Sequence, residues 1–461
     1  MKLDRRSLVG AGLGLGGLAL IADATAAATG PRIESSTATG QRRAHDPQSL
    51  LLEPGTHRDQ TVALQGAIDV AQRTGQPMHV PPGRFIVQTL RLGSGARLIG
   101  AGQGATTLQS TAGGPVLLAD RAADITIEHL SIDAGEGPAA THAEEGLIAL
   151  DRCVGASIRF VSVSRARGHG ISVVLSSGRI ADCTISGARA TGLFCLDGLG
   201  VEIVSNHVVD CGNNGIQVWR STAGEDGTIV TGNRIEKVSA LAGGTGENGN
   251  GINIYRAGNV IVAGNRVADC AYSAIRANSA SNVQITSNNC SRLGEVAIYA
   301  EFAFEGALIA GNLVDVAASG IVVTNFNQGG RLAVVSGNLV RNLFRRESEP
   351  QDKRGEGIAV EADAAISGNV VEGAPTAGMM IGWGPHMRAV SATGNTIRSS
   401  RTGIIVSSDG GAGPCLVANN LITGATDGAV RAHDRGRIHG PDLALEPARS
   451  TRVSIMGNLV V

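Results

Sequence analysis

The sequence contains few aromatic residues and carries almost no net charge. Phe, Trp and Tyr together make up 3% of the 461 residues, which argues against a globular core built from bulky rings. Lys and Arg number 39 against 40 Asp and Glu, which gives a formal net charge of −1. Nucleic acids and anionic membranes both attract a basic surface. The composition therefore predicts no nucleic-acid partner.

Cysteine is present, but it is arranged neither for bridges nor for metal. The seven cysteines cannot all pair within one chain, and no C-x-x-C pair occurs. Cys183, Cys195, Cys211 and Cys270 fall at repeat positions that suit a small apolar residue. We predict mostly free, buried thiols, no metal site and no cofactor. The run 243–251 resembles a calcium-binding nonapeptide, but it is single and has Asn where Asp is required, so calcium is an open alternative without support from the sequence.

Glycine is in excess, and it belongs to a repeat. The 65 glycines include a landmark that alternates strictly with an asparagine landmark, and most intervals are 22 to 27 residues. Such a period is typical of one solenoid turn. The asparagine landmark is filled ten times, and the stacked amides are expected to form a structural ladder rather than a ligand site. Its members are Asn206, Asn233, Asn265, Asn288, Asn312, Asn338, Asn369, Asn395, Asn420 and Asn458.

The first residues predict a signal for export. Arg5 and Arg6 precede a Gly- and Leu-rich apolar run and the small-residue segment ADATAAA, which together predict a twin-arginine signal peptide over residues 1–28. The run is too short and too rich in glycine for a membrane anchor. We therefore expect the twin-arginine translocase as a partner, a periplasmic or secreted location, and no membrane association after cleavage.

The remaining chain divides into three predicted segments. Residues 29–58 are expected to form a flexible leader, residues 59–120 the N-terminal cap and first coils, and residues 121–461 the repeats. A helix is predicted near the start of the cap, because apolar residues recur there at helical spacing and Gly75 follows them. A solenoid must cover the open end of its first coil, which this helix would do. The apolar positions are Leu64, Ala67, Ile68 and Ala71.

The segment from Asp59 to Val87, which reads DQTVALQGAIDVAQRTGQPMHVPPGRFIV, resembles the pectate-lyase-like superfamily when it is taken with the Gly-Asn repeats behind it. With the paired arginines, the whole chain resembles a family of twin-arginine-translocated repeat proteins. The resemblance implies an all-β, single-stranded, right-handed parallel β-helix of about 13 rungs with an N-terminal capping helix. That superfamily includes polysaccharide lyases, hydrolases, epimerases and phage tailspikes, so the resemblance leaves the activity open.

Function is expected on the outward positions of the Gly-led strands. In the run 215–219, alternation points Ile216 and Val218 inwards and Gln217 and Trp219 outwards. Flat rings beside amides suit a sugar polymer, which offers apolar ring faces and hydroxyl edges. The alternative is that the rings cover the sheet beneath long loops. The candidate substrate-binding residues are Trp219, Tyr255, Tyr299, Gln217, Asn253 and Asn278.

Long insertions are expected to wall this surface. The gap from the asparagine landmark to the next Gly-led strand expands to 16 residues before Gly146, 18 before Gly251 and 19 before Gly357. All three leave from the same corner of the coil. Residues 239–250 and 344–356 would therefore stand at the two ends of a cleft, four rungs or about 19 Å apart.

Three charged residues are the candidate catalytic groups. Glu301 and Glu361 lie two rungs apart on outward positions, which suits the carboxylate separation of an inverting glycoside hydrolase. Arg276 could instead act as the base or charge clamp of a polysaccharide lyase. The alternative is an ion pair at the surface between Arg276 and Glu301. The Gly-His-Gly run at His169 is similar to that of polygalacturonases but lacks their paired aspartates, so His169 is expected to be a turn residue.

Two functions therefore remain open at the level of the sequence. The first is an exported enzyme, a lyase or a glycoside hydrolase, that acts on a polysaccharide in the cleft. The second is a non-catalytic envelope or surface protein that binds glycan or another surface through the same sheet. The enzyme requires an acid and a base, and only two outward acids are candidates.

The export prediction depends on both arginines of the signal. Replacing Arg5 and Arg6 with Lys should leave the precursor in the cytoplasm, because the translocase recognises the pair. Fractionation of cells that express the unchanged and the doubly substituted chains measures this. Mature protein in the periplasm with both arginines replaced would show that the signal is misassigned.

Overall fold

The computed structural model of the chain describes residues 52–110, 113–135, 145–244, 246–325, 329–346, 355–446 and 452–461. The predicted signal peptide, most of the predicted leader and most of the insertions before Gly146 and Gly357 lie outside the described residues. The described chain is an all-β, right-handed parallel solenoid of about 13 turns with one helix near the N-terminus, so the predicted fold class is confirmed.

The predicted helix is present as α1, Thr61–Thr74. Leu64 and Ile68 are its buried residues, and it lies against the first strands of the solenoid. The helix ends at Gly75, whose φ of 67° is left-handed, a conformation that costs glycine little because it has no Cβ. Helix propensity alone would not hold so short a segment in water. Burial of its apolar face against the first coils therefore accounts for its stability.

Each full coil contributes one strand to a front sheet and one strand to each of two back ladders. We call these the second and third ladders, and they meet at the Gly-Asn corner. The front sheet has fifteen strands, all parallel except the last. Its strands are Leu90–Arg91, Leu117–Asp120, Gly146–Asp151, His169–Val174, Thr191–Leu196, Asn214–Glu225, Asn250–Gly258, Ile275–Asn278, Val296–Glu301, Ser319–Thr324, Glu356–Val360, Ala377–Ile381, Thr402–Ser407, Val430–Asp434 and Arg437–Asp442.

The two back ladders are parallel throughout and share two long strands, Thr126–Asp133 and Ala156–Ser164. The other strands of the second ladder are Met78–His79, Arg97–Ile99, Gly178–Ala181, Glu202–Val204, Ile229–Thr231, Ile261–Ala263, Val283–Thr286, Glu305–Ala310, Arg331–Ser336, Ala364–Ser367, Val390–Thr393, Cys415–Ala418 and Val453–Met456. Those of the third ladder are Gly83–Val87, Thr106–Ser110, Thr184–Ser186, His207–Cys211, Arg234–Val238, Arg266–Cys270, Asn289–Leu293, Leu313–Ala317, Leu339–Leu343, Val370–Glu372, Thr396–Arg398, Leu421–Thr423 and Leu459–Val460.

The core is one continuous apolar stack along the axis of the coil. Ile216 and Val218 are fully buried and pair in register with Ile252 and Ile254 of the next coil. Val, Ile and Leu fill these inward positions because side chains of a strand alternate between faces. The seven cysteines are all free and buried, as predicted, and burial raises the pKa of the Cys183 thiol to about 12. These thiols therefore serve as small apolar residues of the core.

The asparagine landmark forms the predicted ladder inside the Gly-Asn corner. Asn312 Oδ1 accepts two bonds from Asn288, one from its backbone N–H and one from its Nδ2, both 3.0 Å long. Asn312 Nδ2 donates in turn to Ile285 O and to Asn338 Oδ1. The same pattern repeats from Asn206 to Asn458. Every polar group of the buried amide is thereby satisfied, which burial requires.

Asparagine tolerates a left-handed conformation, but the landmark asparagines do not adopt it. The positive φ falls on the residue before it, for example Gly311 before Asn312 at 64° and Gly337 before Asn338 at 63°. Glycine fills this place in most coils because it tolerates a positive φ. The bend made there turns the asparagine side chain inwards, where its amide meets the next one.

The ladder is expected to be a main source of stability. Replacing Asn312 with Ala should lower the free energy of unfolding by about 3 kcal/mol, because two buried donors of Asn288 would lose their acceptor. Urea unfolding followed by circular dichroism measures this. Asn289→Ala is the matched control, because this exposed side chain should change stability by less than about 0.5 kcal/mol. Equal stabilities of the two variants would contradict the role of the ladder.

Candidate functional site

The outward side chains of the front sheet stand in columns, as predicted. Strand register places Gln217, Asn253, Arg276 and Tyr299 side by side in successive coils. The next column, two residues along each strand, contains Trp219, Tyr255, Asn278 and Glu301. Neighbours in a column are about 4.8 Å apart. The topology therefore brings all the candidate residues of this face together, with Glu361 two coils beyond Glu301.

The expectation that these side chains line an open cleft is wrong for six of the nine. Asn278, Trp219 and Tyr255 are half-buried. The others are almost fully covered, although they point away from the core. Their exposed fractions are Glu301 1%, Glu361 1%, Asn253 3%, Gln217 4%, Arg276 5% and Tyr299 5%.

Part of this cover is the insertion before Gly251, which folds over the sheet instead of standing beside it. A methyl group added at Gly246 would lie 3.0 Å from Cζ of Arg276. Asn253 Nδ2 donates to the carbonyls of Gly246 and Glu247 at 2.9 and 3.0 Å. Asn214 Nδ2 donates to Glu247 O at 2.9 Å. These amides hold the insertion down over the first half of the strands Asn214–Glu225, Asn250–Gly258 and Ile275–Asn278.

The candidate catalytic residues Arg276 and Glu301 form a buried, two-pronged ion pair. Nε and Nη2 of Arg276 lie 2.7 and 2.9 Å from the two carboxylate oxygens of Glu301. Asn278 Nδ2 donates to Glu301 at 2.9 Å, and Glu295 lies 3.7 Å from Arg276 Nη1. The ion pair between Arg276 and Glu301, given above as the alternative to catalysis, is therefore present. It is buried, so the expectation that it lies at the surface is wrong.

The electrostatics fix Arg276 as a cation. Burial by itself would lower the pKa of Arg276, but the charge of Glu301 and its hydrogen bonds outweigh burial and raise that pKa above its ordinary value. The guanidinium also lies over the ring of Tyr299, 4.8 Å from its centroid. A group held in this way is a poor proton acceptor, so its geometry is that of a structural cation.

Glu361 is also engaged with the chain. Its Oε2 accepts the backbone N–H of Asn325 at 2.9 Å, and Asn325 in turn bonds Ala362 through its side chain. Thr324 lies between Glu301 and Glu361 in the column, so the two acids are two strand spacings apart, as the sequence predicted. Glu301 therefore joins two neighbouring strands, and Glu361 holds the residue that follows strand Ser319–Thr324.

A half-exposed lane remains beside the folded insertion. We call it the front groove, and it is formed by five outward residues in successive coils: Val174, Leu196, Trp219, Tyr255 and Asn278. Four strand spacings make it about 19 Å long. Its rings meet edge to face, with the centroids of Trp219 and Tyr255 5.7 Å apart.

Polar groups fix the rings of the front groove and flank it. Trp219 Nε1 donates to Asn253 Oδ1 at 3.2 Å, which sets the plane of the indole. Arg256 lies on the outer side, with its guanidinium 4.7 Å from the ring centroid of Tyr255. Glu247, held by Asn253, presents an exposed side chain on the other side.

His169 is not the turn residue that the sequence predicted. It begins a front-sheet strand, is buried, and stacks on Phe194 with 4.4 Å between ring centroids. Phe194 in turn meets Trp219 edge to face at 6.4 Å. The rings therefore continue from His169 to Tyr255. The sequence contained a sign of this. His169 comes directly before a landmark glycine, as Asn214 and Asn250 do, and these two residues stand in one outward column of the front sheet.

The C-terminal half of the front sheet is covered by its own apolar cluster. Tyr299 belongs to this cluster, so the alternative that rings cover the sheet holds for Tyr299 and not for Trp219 or Tyr255. Ile438, on the last front strand, packs against the same cluster. The buried members are Val296, Tyr299, Val322, Ala359, Ala377, Met380, Trp383 and Ile405.

The described ranges give a clear result on metal clusters and membrane spans. They contain no group of three or more His, Cys, Asp or Glu side chains placed to hold a metal ion. They contain no helix long and apolar enough to cross a membrane. In the candidate calcium segment, the side chains of Asn248 and Asn250 donate to backbone carbonyls of the insertion itself.

Comparison with known proteins identifies the family. The sequence model described as "Right handed beta helix region" matches residues 94–235 and 221–390. A search among curated proteins finds no match. The solved structure of the pre-mature gene product 12 of bacteriophage phi29 is similar at 16% identity and a TM-score of 0.50, over 84% of this chain and 55% of that one. The present chain therefore spans about half the length of the phage protein.

Two further solved structures are similar at lower scores. The catalytic unit of the thermostable GH87 alpha-1,3-glucanase from Streptomyces thermodiastaticus has 14% identity and a TM-score of 0.47, over 89% of this chain and 67% of that one. PfbA, a surface adhesin of Streptococcus pneumoniae, has 13% identity and a TM-score of 0.45, over 83% and 91%. Likeness at these identities extends to the fold alone.

The buried ion pair allows a test of whether Glu301 stabilises the fold. Glu301→Gln should lower the free energy of unfolding by about 3 kcal/mol, because the charge of Arg276 would stay buried with a weaker partner. Glu305→Gln is the matched control, since its pair with Arg331 is exposed and should contribute less than about 1 kcal/mol. Denaturant unfolding of both variants measures this. A Glu301→Gln chain as stable as the control would contradict the structural role.

Proposed function

This chain belongs to the family of right-handed β-helix proteins, and we propose that it binds a polysaccharide along the front groove without cleaving it. The single observation that carries the proposal is the pair Trp219 and Tyr255. These rings stand half-exposed in adjacent coils, while the other candidate ring, Tyr299, is buried. The chain has few aromatic residues, and these two rings remain partly exposed. Exposed aromatic rings can pack against the apolar faces of sugars.

The groove has the shape of a polymer site. Its five floor residues repeat once per coil, so a linear ligand lying along the axis would meet a similar contact at each step of about 4.8 Å. Trp219 Nε1 is already bonded to Asn253, so the indole offers its apolar surface to a ligand. Asn278 closes the lane with an amide, whose polar groups suit hydroxyl edges.

The flanking groups add hydrogen-bond capacity. Glu247 offers a carboxylate on one side and Arg256 a guanidinium on the other, and neither forms an ion pair with a described residue. Gln217 is covered, and its Oε1 accepts the hydroxyl of Thr191, so it supports the groove without facing a ligand. A site that is apolar on its floor and polar on its sides is typical of ligand-binding surfaces.

Binding is favoured over cleavage because the two acids are occupied. An inverting hydrolase requires one carboxyl group to protonate the leaving oxygen and another to activate water. Here Glu301 is held by Arg276 and Asn278, and Glu361 accepts from Asn325. Both are covered. The proposal therefore assigns Glu301, Glu361 and Arg276 to the scaffold of the groove and Trp219, Tyr255 and Asn278 to its contact surface.

We also propose that binding takes place outside the inner membrane. The paired Arg5 and Arg6 are the basis for this location. A folded solenoid with buried free thiols needs no disulfide chemistry there, and its partner would be an envelope or extracellular glycan.

The groove is tested by removing its rings. Trp219→Ala and Tyr255→Ala should each weaken binding about tenfold, or about 1.4 kcal/mol, with little change in stability. A panel of neutral and acidic polysaccharides, examined by affinity electrophoresis, identifies the ligand and measures the change. Phe160→Ala is the matched control, because this ring is also partly open, at 40% exposure, on another face.

Incubation of the protein with the same panel of polysaccharides distinguishes binding from cleavage. Reducing ends and the absorbance of unsaturated products should stay at background for every member of the panel. Release of either product would replace the binding proposal with an enzyme. Unchanged affinity in both ring variants would show that the front groove is not the contact surface.

A further inference from the structure

The exterior of the third ladder changes character halfway along the solenoid. One outward column reads His207, Arg234 and Arg266 in the earlier coils. In the later coils the same column reads Leu313, Leu339, Val370 and Thr396, all half-buried. The ladder therefore turns from a polar outer surface to an apolar one. This change lies on a back face, away from the front groove.

The second ladder extends the apolar surface across the Gly-Asn corner. Leu308 is half-buried and pairs in register with Val334, which is 41% exposed. Between Leu308 and Leu313 the residues at the surface are small, Ala310 and Gly311, because Ile309 and Asn312 are buried. Contiguous apolar surface of this kind on a soluble chain marks an interaction site more often than scattered single residues do.

A charged column runs beside the apolar one, and its signs alternate. Two residues further along each strand, register places Asp315, Arg341, Glu372 and Arg398 in sequence. Asp315 and Arg341 are 3.1 Å apart. Hydrogen bonds from Asn342 and Arg341 lower the pKa of Asp315, so it is charged at neutral pH. Within the described ranges, Glu372 and Arg398 form no ion pair, and both are exposed.

An alternating column is complementary to itself when it is reversed. We propose that this back stripe, defined as Leu313, Leu339, Val370 and Thr396 with the four charged residues, binds a second copy of the chain in antiparallel orientation. Reversal places Asp315 opposite the second copy's Arg398 and Arg341 opposite its Glu372. The apolar column is reversed at the same time, so that Leu339 meets Val370 and Leu313 meets Thr396.

The charges decide in favour of a second copy over other partners. The charges of two carboxylates and two guanidinium groups sum to zero. The stripe therefore has no net positive charge that would attract a polyanion or an anionic membrane surface. The two-fold axis passes between Arg341 and Glu372, which makes the contact isologous and closes the assembly at two chains. The stripe spans three strand spacings, about 14 Å, and the apolar columns of both ladders widen it.

Sedimentation velocity on the full chain tests the proposal. We expect a species of twice the 46.9 kDa chain mass that dissociates on dilution. Glu372→Arg should raise the dissociation constant about tenfold or more, because two arginines would then face each other at each of two symmetric places. Glu202→Arg is the control, since this residue pairs with Arg179 in the earlier coils and lies outside the stripe.

A double exchange separates contacts between copies from contacts within one chain. In Arg341→Glu combined with Glu372→Arg, two of the three neighbouring pairs within the column become like-charged, but every position again faces an opposite charge on the second copy. The dimer should recover towards the original dissociation constant, while the melting temperature of each chain falls. Circular dichroism confirms that all variants keep their strand signal.

Three results would overturn the proposal. The first is an unchanged chain that stays monomeric at every concentration. The second is a folded double exchange that dimerises no better than Glu372→Arg. The third is a trimer or a larger species, because an isologous two-fold contact cannot produce one.

Discussion

The structure depends on one constraint, which is that every coil must satisfy its buried backbone and amide groups on the coil before it and the coil after it. Parallel strands do this along the three faces, and the asparagine ladder does it at the Gly-Asn corner. A buried polar group without a partner costs about 1 to 3 kcal/mol, so the ladder leaves little tolerance at Asn312 or its neighbours. The outward columns and the insertions are under no such constraint.

The front sheet shows how a solenoid uses its outward columns for more than one purpose. Towards the C-terminus, Tyr299 and Trp383 join an outer apolar cluster, so that half of the sheet has a second core on its outside. In the middle, Arg276 and Glu301 close the surface with a buried ion pair. The lane from Val174 to Asn278 keeps partly exposed side chains. The folded insertion covers the sheet at Asn253 and Arg276 and leaves Trp219 and Tyr255 half-exposed beside it.

The fold could be predicted from the sequence because its determinants are local and repeat. Alternation in Gly215–Trp219 set the inward and outward faces, and the spacing of asparagines set the coil length. Exposure of the outward residues could not be predicted in the same way. Whether Arg276 meets water depends on the path of the insertion carrying Gly246, which no periodicity specifies. Tyr299 and Tyr255 both point outwards, but they stand in neighbouring columns, and of the two only Tyr299 joins the outer apolar cluster, which alternation along the strand does not specify.

The asparagine ladder also has a direction. All nine Nδ2 to Oδ1 bonds run from one coil to the following coil, at 2.9 to 3.0 Å. The amide dipoles are thus aligned along the axis inside an apolar interior, where each bond polarises its neighbours. The rod has an electrical polarity from end to end that its near-zero net charge conceals. Its two ends are distinguishable by electric field as well as by shape.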